Sequence, residues 1–249
     1  MYNIIASYPK SGNTWLRFII YELYFGDNNS VIKSKNIEEF IPGINKESLQ
    51  KVLDNNHNYK DIFFKSHFSY MQMKKLKLGK IILIIRNPLE VLSSMIDYYQ
   101  IPIAQVDECV DQFSRFHTLI NLKKQFKYPS WSEHLDGWKN SDQDLLILTY
   151  NDLIDNFNIN IIKIINFLNI DFDKKKIDLI KDKTSFKSLK KLEDYEKKNK
   201  VDGFFKIHEK INFINKGKKK NYDEKFSNSQ IKKLEKSFLK YINEFNLMN

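Results

Sequence analysis

Tyr2-Asn3-Ile4-Ile5-Ala6-Ser7 runs into Tyr8-Pro9-Lys10-Ser11-Gly12-Asn13-Thr14-Trp15, and Leu16, Ile19, Ile20 and Leu23 follow. The first six residues form a short apolar run with strand character. The last four fall at i, i+3, i+4 and i+7, one apolar face of an amphipathic helix. Strand, tight Gly-containing turn, helix is how an α/β protein holds a phosphate. Main-chain N–H groups and the positive end of the helix dipole point at the anion, and a lysine adds a full charge. Pro9 stiffens the entry and Gly12 permits close approach or a positive φ. Thr14 is placed to cap the helix or to give its hydroxyl to a phosphate oxygen. Plain Gly turns between strand and helix also occur and bind nothing. The Walker pattern is absent: it puts lysine after the last glycine, whereas Lys10 comes two residues before Gly12.

The bulk numbers suit such a fold. A chain of 249 residues fits one α/β domain, residues 1–249, with a real core. With 42% hydrophobic and 14% aromatic residues it is globular rather than disordered. A single cysteine, Cys109, excludes a disulfide framework and a Cys-built metal site. The loop strand begins at residue 2, and no stretch approaches the ~20 apolar residues of a membrane span. The expectation is a cytoplasmic protein without a signal peptide or transmembrane segment. Net charge is +10, and residues 171–249 carry 22 Lys against 13 Asp and Glu, 22 − 13 = +9 of it. That excess fits a field attracting anions, or the solvated faces of a chain rich in Lys, Asn and Ile.

Further along, residues 26–61 are polar and turn-rich, read as a loop with short helices. Ile62 to His67 is a short strand ending in Lys65, Ser66 and His67. Lys80 to Arg86 holds five consecutive apolar β-formers, the signature of a buried parallel strand. Pro88 then suits the first turn of a helix that buries Leu89, Leu92, Ile96 and Tyr99. One longer helix is expected around Asp107–Lys124 with Phe113, Phe116 and Ile120 inward. A short helix follows over Trp131–Trp138, a buried strand over Asp144–Tyr150 and a helix over Asn158–Leu168. The last helix opens with the capping box Ser227-x-x-Gln230 and buries Ile231, Leu234, Phe238, Tyr241 and Phe245. Four strands thus each end in polar residues, at Lys10, Lys65/His67, Arg86 and Tyr150. In open parallel sheets ligands sit beyond the carboxyl ends of the strands, so neighbouring strands would bring these clusters into one cleft.

Together these residues resemble the sulfotransferase superfamily, the cytosolic type in particular. The family's 5′-phosphosulfate loop reads Tyr-Pro-Lys-Ser-Gly-Thr-Thr-Trp, and Tyr8–Trp15 matches it at all but Asn13. Its 3′-phosphate element is a strand, then Arg-Asn-Pro, then a serine; Arg86-Asn87-Pro88 and Ser94 have that spacing. Its Lys-Thr-His is Lys65-Ser66-His67 here. Trp131-x-x-His134, Tyr150-Asn151-Asp152-Leu153, Thr184-Ser185-Phe186 and Asn215-Lys216-Gly217 resemble further family segments in the right order. The last departs from the family's Arg-Lys-Gly, which removes a bidentate phosphate donor that Lys216 or Lys218–Lys220 would have to replace. The family's C-terminal dimerisation motif has no evident counterpart, so oligomeric state stays open.

The resemblance implies a three-layer α/β domain, a mostly parallel sheet flanked by helices with a P-loop-like phosphosulfate-binding loop. It implies transfer of a sulfuryl group from 3′-phosphoadenosine 5′-phosphosulfate (PAPS) to an acceptor hydroxyl or amine. The product nucleotide is adenosine 3′,5′-bisphosphate (PAP), and no metal is required. His67 would be the general base, Lys10 would hold the 5′-phosphate and then the leaving oxygen, and Lys65 would neutralise the sulfuryl oxygens. Ser11, Gly12, Asn13 and Thr14 would complete the cradle. Arg86, Ser94, Asn215, Lys216 and Gly217 would take the 3′-phosphate. Tyr150 and Thr184 would flank the cofactor, with Trp15 and Phe186 stacking on adenine. For His134 a structural role is favoured. The acceptor, whether small molecule, lipid or saccharide, is not legible, although Phe68, Tyr70, Tyr98, Tyr99 and Phe204 suit either an apolar pocket or the core. Two rival readings remain: a P-loop nucleotide kinase, which would need the Walker loop and Mg²⁺ carboxylates, and a basic nucleic-acid-binding protein.

Overall fold

A computed structural model describes residues 1–26, 31–44, 63–126, 128–207, 212–214 and 222–248. In chain order its elements are β1 (Tyr2–Ser7), α1 (Asn13–Phe25), α2 (Ser34–Phe40), β2 (Phe63–Ser66), α3 (Tyr70–Met73), β3 (Leu78–Ile85) and α4 (Pro88–Tyr98). Then come α5 (Val106–Phe116), α6 (Ile120–Phe126), α7 (Trp131–Lys139), β4 (Leu145–Thr149), α8 (Tyr150–Asp155) and α9 (Phe157–Leu168). The chain continues with α10 (Ile177–Lys183), α11 (Phe186–Lys198), α12 (Phe204–Ile207) and α13 (Asn228–Phe245).

The strands form one sheet in the order β2-β1-β3-β4, every pairing parallel. Ile4 pairs with Phe64 on one side and Ile81 on the other, and Leu83 pairs with Ile147. The period of two in strand side chains divides the core into two layers. Ile4, Ala6, Ile81, Leu83 and Ile85 face a cluster built with α4, α5 and α13; Ile5, Ile82, Ile84 and Leu148 face the other, built with α1, α9 and α10. Helices cover both faces, which is why the central strands read as unbroken apolar runs. The expected three-layer arrangement is what the chain adopts.

Local signals set the helix ends. Asn87 accepts from Leu89 N–H and Pro88 takes the first position of α4; Ser130 and Ser227 each close a capping box, with Glu133 and Gln230. The single helix expected around Asp107–Lys124 is two. His117 adopts a left-handed conformation (φ 53°) that ends α5, and α6 starts at Ile120. Its imidazole packs 4.2 Å from the Phe238 ring and bonds the Ser132 and Ser237 hydroxyls, at 2.8 and 3.1 Å. The turn takes Phe116 out of the core: it is 53% exposed, whereas Phe113 is fully buried. Among the described residues no helix is long and apolar enough to cross a membrane.

Candidate active site

The carboxyl ends of β1, β2, β3 and β4 lie side by side, and a cavity of about 560 Å³ opens beyond them. Lys10, Lys65, His67, Arg86 and Tyr150 all line it, so parallel pairing brings together the four polar clusters that follow the strands. Gly12, Asn13, Thr14, Trp15, Ser94 and Phe186 line it as well.

The loop after β1 is shaped by backbone geometry. Lys10 is left-handed (φ 66°) and Gly12 sits at φ 98° as the N-cap of α1, with no side chain capping the helix. Thr14 therefore lies in the first turn, and the N–H groups there have no side-chain acceptor at the cap. A Cβ on Gly12 would come within 2.5 Å of the Tyr150 ring, so both φ and space require glycine. Ser11 Oγ is buried without a hydrogen-bond partner. Asn13, where the resemblance leads one to expect threonine, turns its amide inward and donates to Ile5 O at 3.1 Å and Ser7 Oγ at 3.0 Å. Its side chain thus ties the loop to β1.

The ammonium groups of Lys10 and Lys65 make no hydrogen bond or ion pair with a described residue. Lys10 Nζ rests 3.8 Å from the centre of the Tyr98 ring and 4.6 Å from that of Phe213. Burial, with the positive charges of Arg86 and Lys65 nearby, draws its pKa from 10.5 to about 7. Burial and the charge of Arg17 draw that of Lys65 to about 8. Arg17 is itself held by Glu38 at 2.9 Å and by the carbonyls of Ile37 and Ile41.

Arg86 is oriented by its own chain. Nε donates to Glu90 Oε2 at 2.8 Å, Nη1 donates to the Lys10 carbonyl at 3.2 Å, and the guanidinium lies 4.3 Å from the centre of the Tyr150 ring. The plain alternative for this arginine, a carboxylate pair, is thus realised one helical turn away without removing Arg86 from the cavity.

His67 Nδ1 lies 2.7 Å from the Ser7 carbonyl oxygen. A carbonyl can only accept, so Nδ1 carries the proton and Nε2 keeps the lone pair. Burial, and then the Lys65 charge, hold the imidazole's pKa well below its ordinary 6.5, against the opposing pull of the Ser7 hydrogen bond. The ring is therefore neutral near pH 7, more decisively than an unperturbed histidine would be. Tyr128 stands edge-on to it, with ring centres 5.5 Å apart.

Other expected residues fall around this centre in different ways. Trp15 packs against Tyr150 and Phe157, with ring centres 5.7 and 6.2 Å away, and its indole N–H donates to the Thr184 carbonyl at 2.9 Å. Thr184 is fully buried behind the lining, its hydroxyl spent on Ile180 O at 2.7 Å, so it reaches the cavity only through Trp15. Phe186 is 40% exposed at the cavity edge. Tyr98, Tyr99 and Phe204 line the cavity, whereas Phe68 is core and Tyr70 packs against Trp138, its hydroxyl donating to Asp142. His134 is buried off the lining beside Tyr8, and burial lowers its pKa to about 3. Asn215, Lys216, Gly217 and Lys218–Lys220 lie outside the described residues. Glu90, Tyr128 and Phe213 were not singled out from sequence; of the three, only Glu90 carried a local signal, its i+4 spacing from Arg86.

Known proteins resemble this chain in sequence and in fold. A family model described as the sulfotransferase domain matches residues 3–246. An amine sulfotransferase of Oryctolagus cuniculus is 26% identical over 196 residues, covering 75% of this chain and 62% of the relative. A 3-beta-hydroxysteroid sulfotransferase of Cavia porcellus is 29% identical over 203 residues, covering 76% of this chain and 66% of the relative. The aligned chain spans less than two thirds of these two relatives. The crystal structure of a mouse sulfotransferase complexed with PAP superposes with a TM-score of 0.67 at 22% identity, over 99% of this chain and 86% of that one. Retinol dehydratase in complex with androsterone and PAP gives 0.71 at 17% identity, over 99% and 82%. These two share the fold. With the family model covering nearly the whole chain, the protein belongs to the sulfotransferase domain family.

Proposed function

We propose that the chain moves a sulfuryl group from PAPS to a hydroxyl or amine of a small-molecule, lipid or saccharide acceptor. One observation carries this reading: Lys10 and Lys65, each lowered in pKa, share an enclosed cavity with a neutral imidazole and lack a carboxylate partner among the described residues. Enclosed cations without partners are costly, and a bound anion removes that cost. Family membership and the PAP held by structural neighbours support reading that anion as PAPS, in preference to ATP or nucleic acid.

The donor set fits such a nucleotide at both ends. The Gly12 turn and the start of α1 suit the 5′ end; Arg86 and Ser94 suit the 3′-phosphate. Trp15 and Phe186 offer faces to the base. Bound PAPS supplies a sulfuryl group on a good leaving oxygen. His67 Nε2 would take the proton of the acceptor hydroxyl or amine as that atom bonds to sulfur and the bridging oxygen leaves. Lys10 meets the negative charge growing on that bridging oxygen, and Lys65 meets the sulfuryl oxygens. Tyr98, Tyr99, Tyr128 and Phe204 in the same cavity suit an acceptor with an apolar or aromatic body. No metal is needed for these charges.

His67→Ala separates this mechanism from a structural role for the histidine. Turnover with labelled PAPS should be abolished, while calorimetry gives a PAP affinity within a few-fold of the parent. Equal loss of binding and turnover would remove His67 from the chemistry.

A further inference from the structure

Helix α11 buries two carboxylates three residues apart, Glu193 and Glu196, in a stretch otherwise crowded with lysines. Burial of an acid demands partners, and each acid finds them in a different segment of chain. Glu196 accepts from the Ser34 N–H at 2.9 Å and from the Ser34 hydroxyl, and so fastens the start of α2. Glu193 accepts from two consecutive main-chain N–H groups, Phe213 at 2.7 Å and Ile214 at 3.0 Å. Lys197 and Lys190 pair with the same carboxylate at 2.7 and 3.3 Å. A carboxylate bridging adjacent N–H groups makes charge-assisted bonds that fix the backbone as well as hold it.

What Glu193 holds belongs to the cavity. Phe213 and Ile214 line it, and neither lies in a helix or strand. The Phe213 ring sits 4.6 Å from Lys10 Nζ and stands edge-on to Tyr98 and Phe204, with ring centres 6.0 and 4.6 Å away. We propose that Glu193 is a positioning residue for the donor site: its carboxylate straps Phe213 and Ile214 across the cavity wall, so that the Phe213 ring stays beside the Lys10 ammonium. The inference rests on the reading of the cavity as a PAPS site. Ser34, held by Glu196, does not line the cavity, which makes Glu196 a matched control on the same helix.

The test compares the parent protein, Glu193→Gln and Glu196→Gln. A glutamine has one carbonyl to offer two N–H groups, and its own NH₂ opposes the other. Three quantities are read: PAP affinity by calorimetry, melting temperature, and hydrogen exchange at the Phe213 and Ile214 amides. Glu193→Gln should weaken PAP about tenfold and speed exchange at those two amides, while Glu196→Gln melts lower and binds PAP within twofold of the parent. Glu193→Gln binding PAP as tightly as the parent would overturn the proposal, and so would equal weakening by both variants. Should Glu193→Gln not fold, exchange in the parent protein decides: Phe213 and Ile214 amides exchanging at the rate of open chain would overturn the strap, and protection like that of α11 would support it. A parent protein that fails to bind PAP at all would instead refute the sulfotransferase reading.

Discussion

Nucleotide binding should draw protons out of solution, by an amount the cavity sets in advance. With a pKa of about 7, Lys10 is mostly uncharged at pH 8 in the free protein, and Lys65, at about 8, is half charged. A phosphate-bearing ligand returns both to the ammonium form, because an opposite charge in an enclosed site favours the charged state. The linkage arithmetic gives about 0.9 proton taken up at Lys10 and about 0.5 at Lys65, or roughly 1.4 per PAP bound. At pH 6 both lysines start charged, and the same arithmetic leaves about 0.1. The phosphates lie mostly in one protonation state at pH 8, so they add little there. The assay is titration calorimetry with PAP at fixed pH in buffers of different ionisation enthalpy, the slope giving the proton count. Lys10→Met should remove about 0.9 of the count at pH 8, on the same linkage. Uptake near zero at pH 8, or equal uptake at pH 6 and 8, would refute the account of these two lysines.

The same lysines predict that kcat/KM for PAPS falls as pH rises through 7 to 8, since the charged forms receive the donor. His67, neutral already, adds no acidic limb near 6.5, and a bell with that limb would contradict the burial argument. Arg86→Ala should weaken PAP by about 2 kcal/mol, the scale of a charged hydrogen bond, yet barely change affinity for the nucleotide lacking the 3′-phosphate; calorimetry with both ligands decides. Gly12→Ala should cost about 1–2 kcal/mol of stability for its left-handed φ alone, read by urea melts, and should weaken PAP because the Tyr150 ring must shift.

Much of this was legible in sequence because the chemistry sits at the ends of strands. The apolar run Ile81–Ile85 can only be buried on both faces, so Arg86 had to emerge beyond the carboxyl end of its strand, and the same reasoning placed Lys10 and His67. What stayed hidden depends on contacts distant in sequence. Glu193 reads as one more charge on a lysine-rich helix until Phe213 and Ile214 return to it from 20 and 21 residues away. Tyr128 meets His67 across 61 positions that carry no shared period. The break at His117 escaped because the apolar spacing of Phe113, Phe116 and Ile120 is that of a helix, while a left-handed residue leaves no periodic mark. Thr184 shows the opposite hazard: its segment was found, but its side chain serves the helix that carries it.

The bond from His67 to the Ser7 oxygen also bears on how freely this corner can change. The acceptor is main-chain, on the last residue of β1, and the imidazole follows the last residue of β2, its neighbour in the sheet. The Ser7 hydroxyl accepts from the Asn13 amide at 3.0 Å, and the oxygen that orders the imidazole belongs to the backbone. The histidine's protonation pattern is therefore inherited from strand alignment, and only slippage between two buried strands, which would turn Ile4 and Ile5 each toward the wrong layer, could undo it.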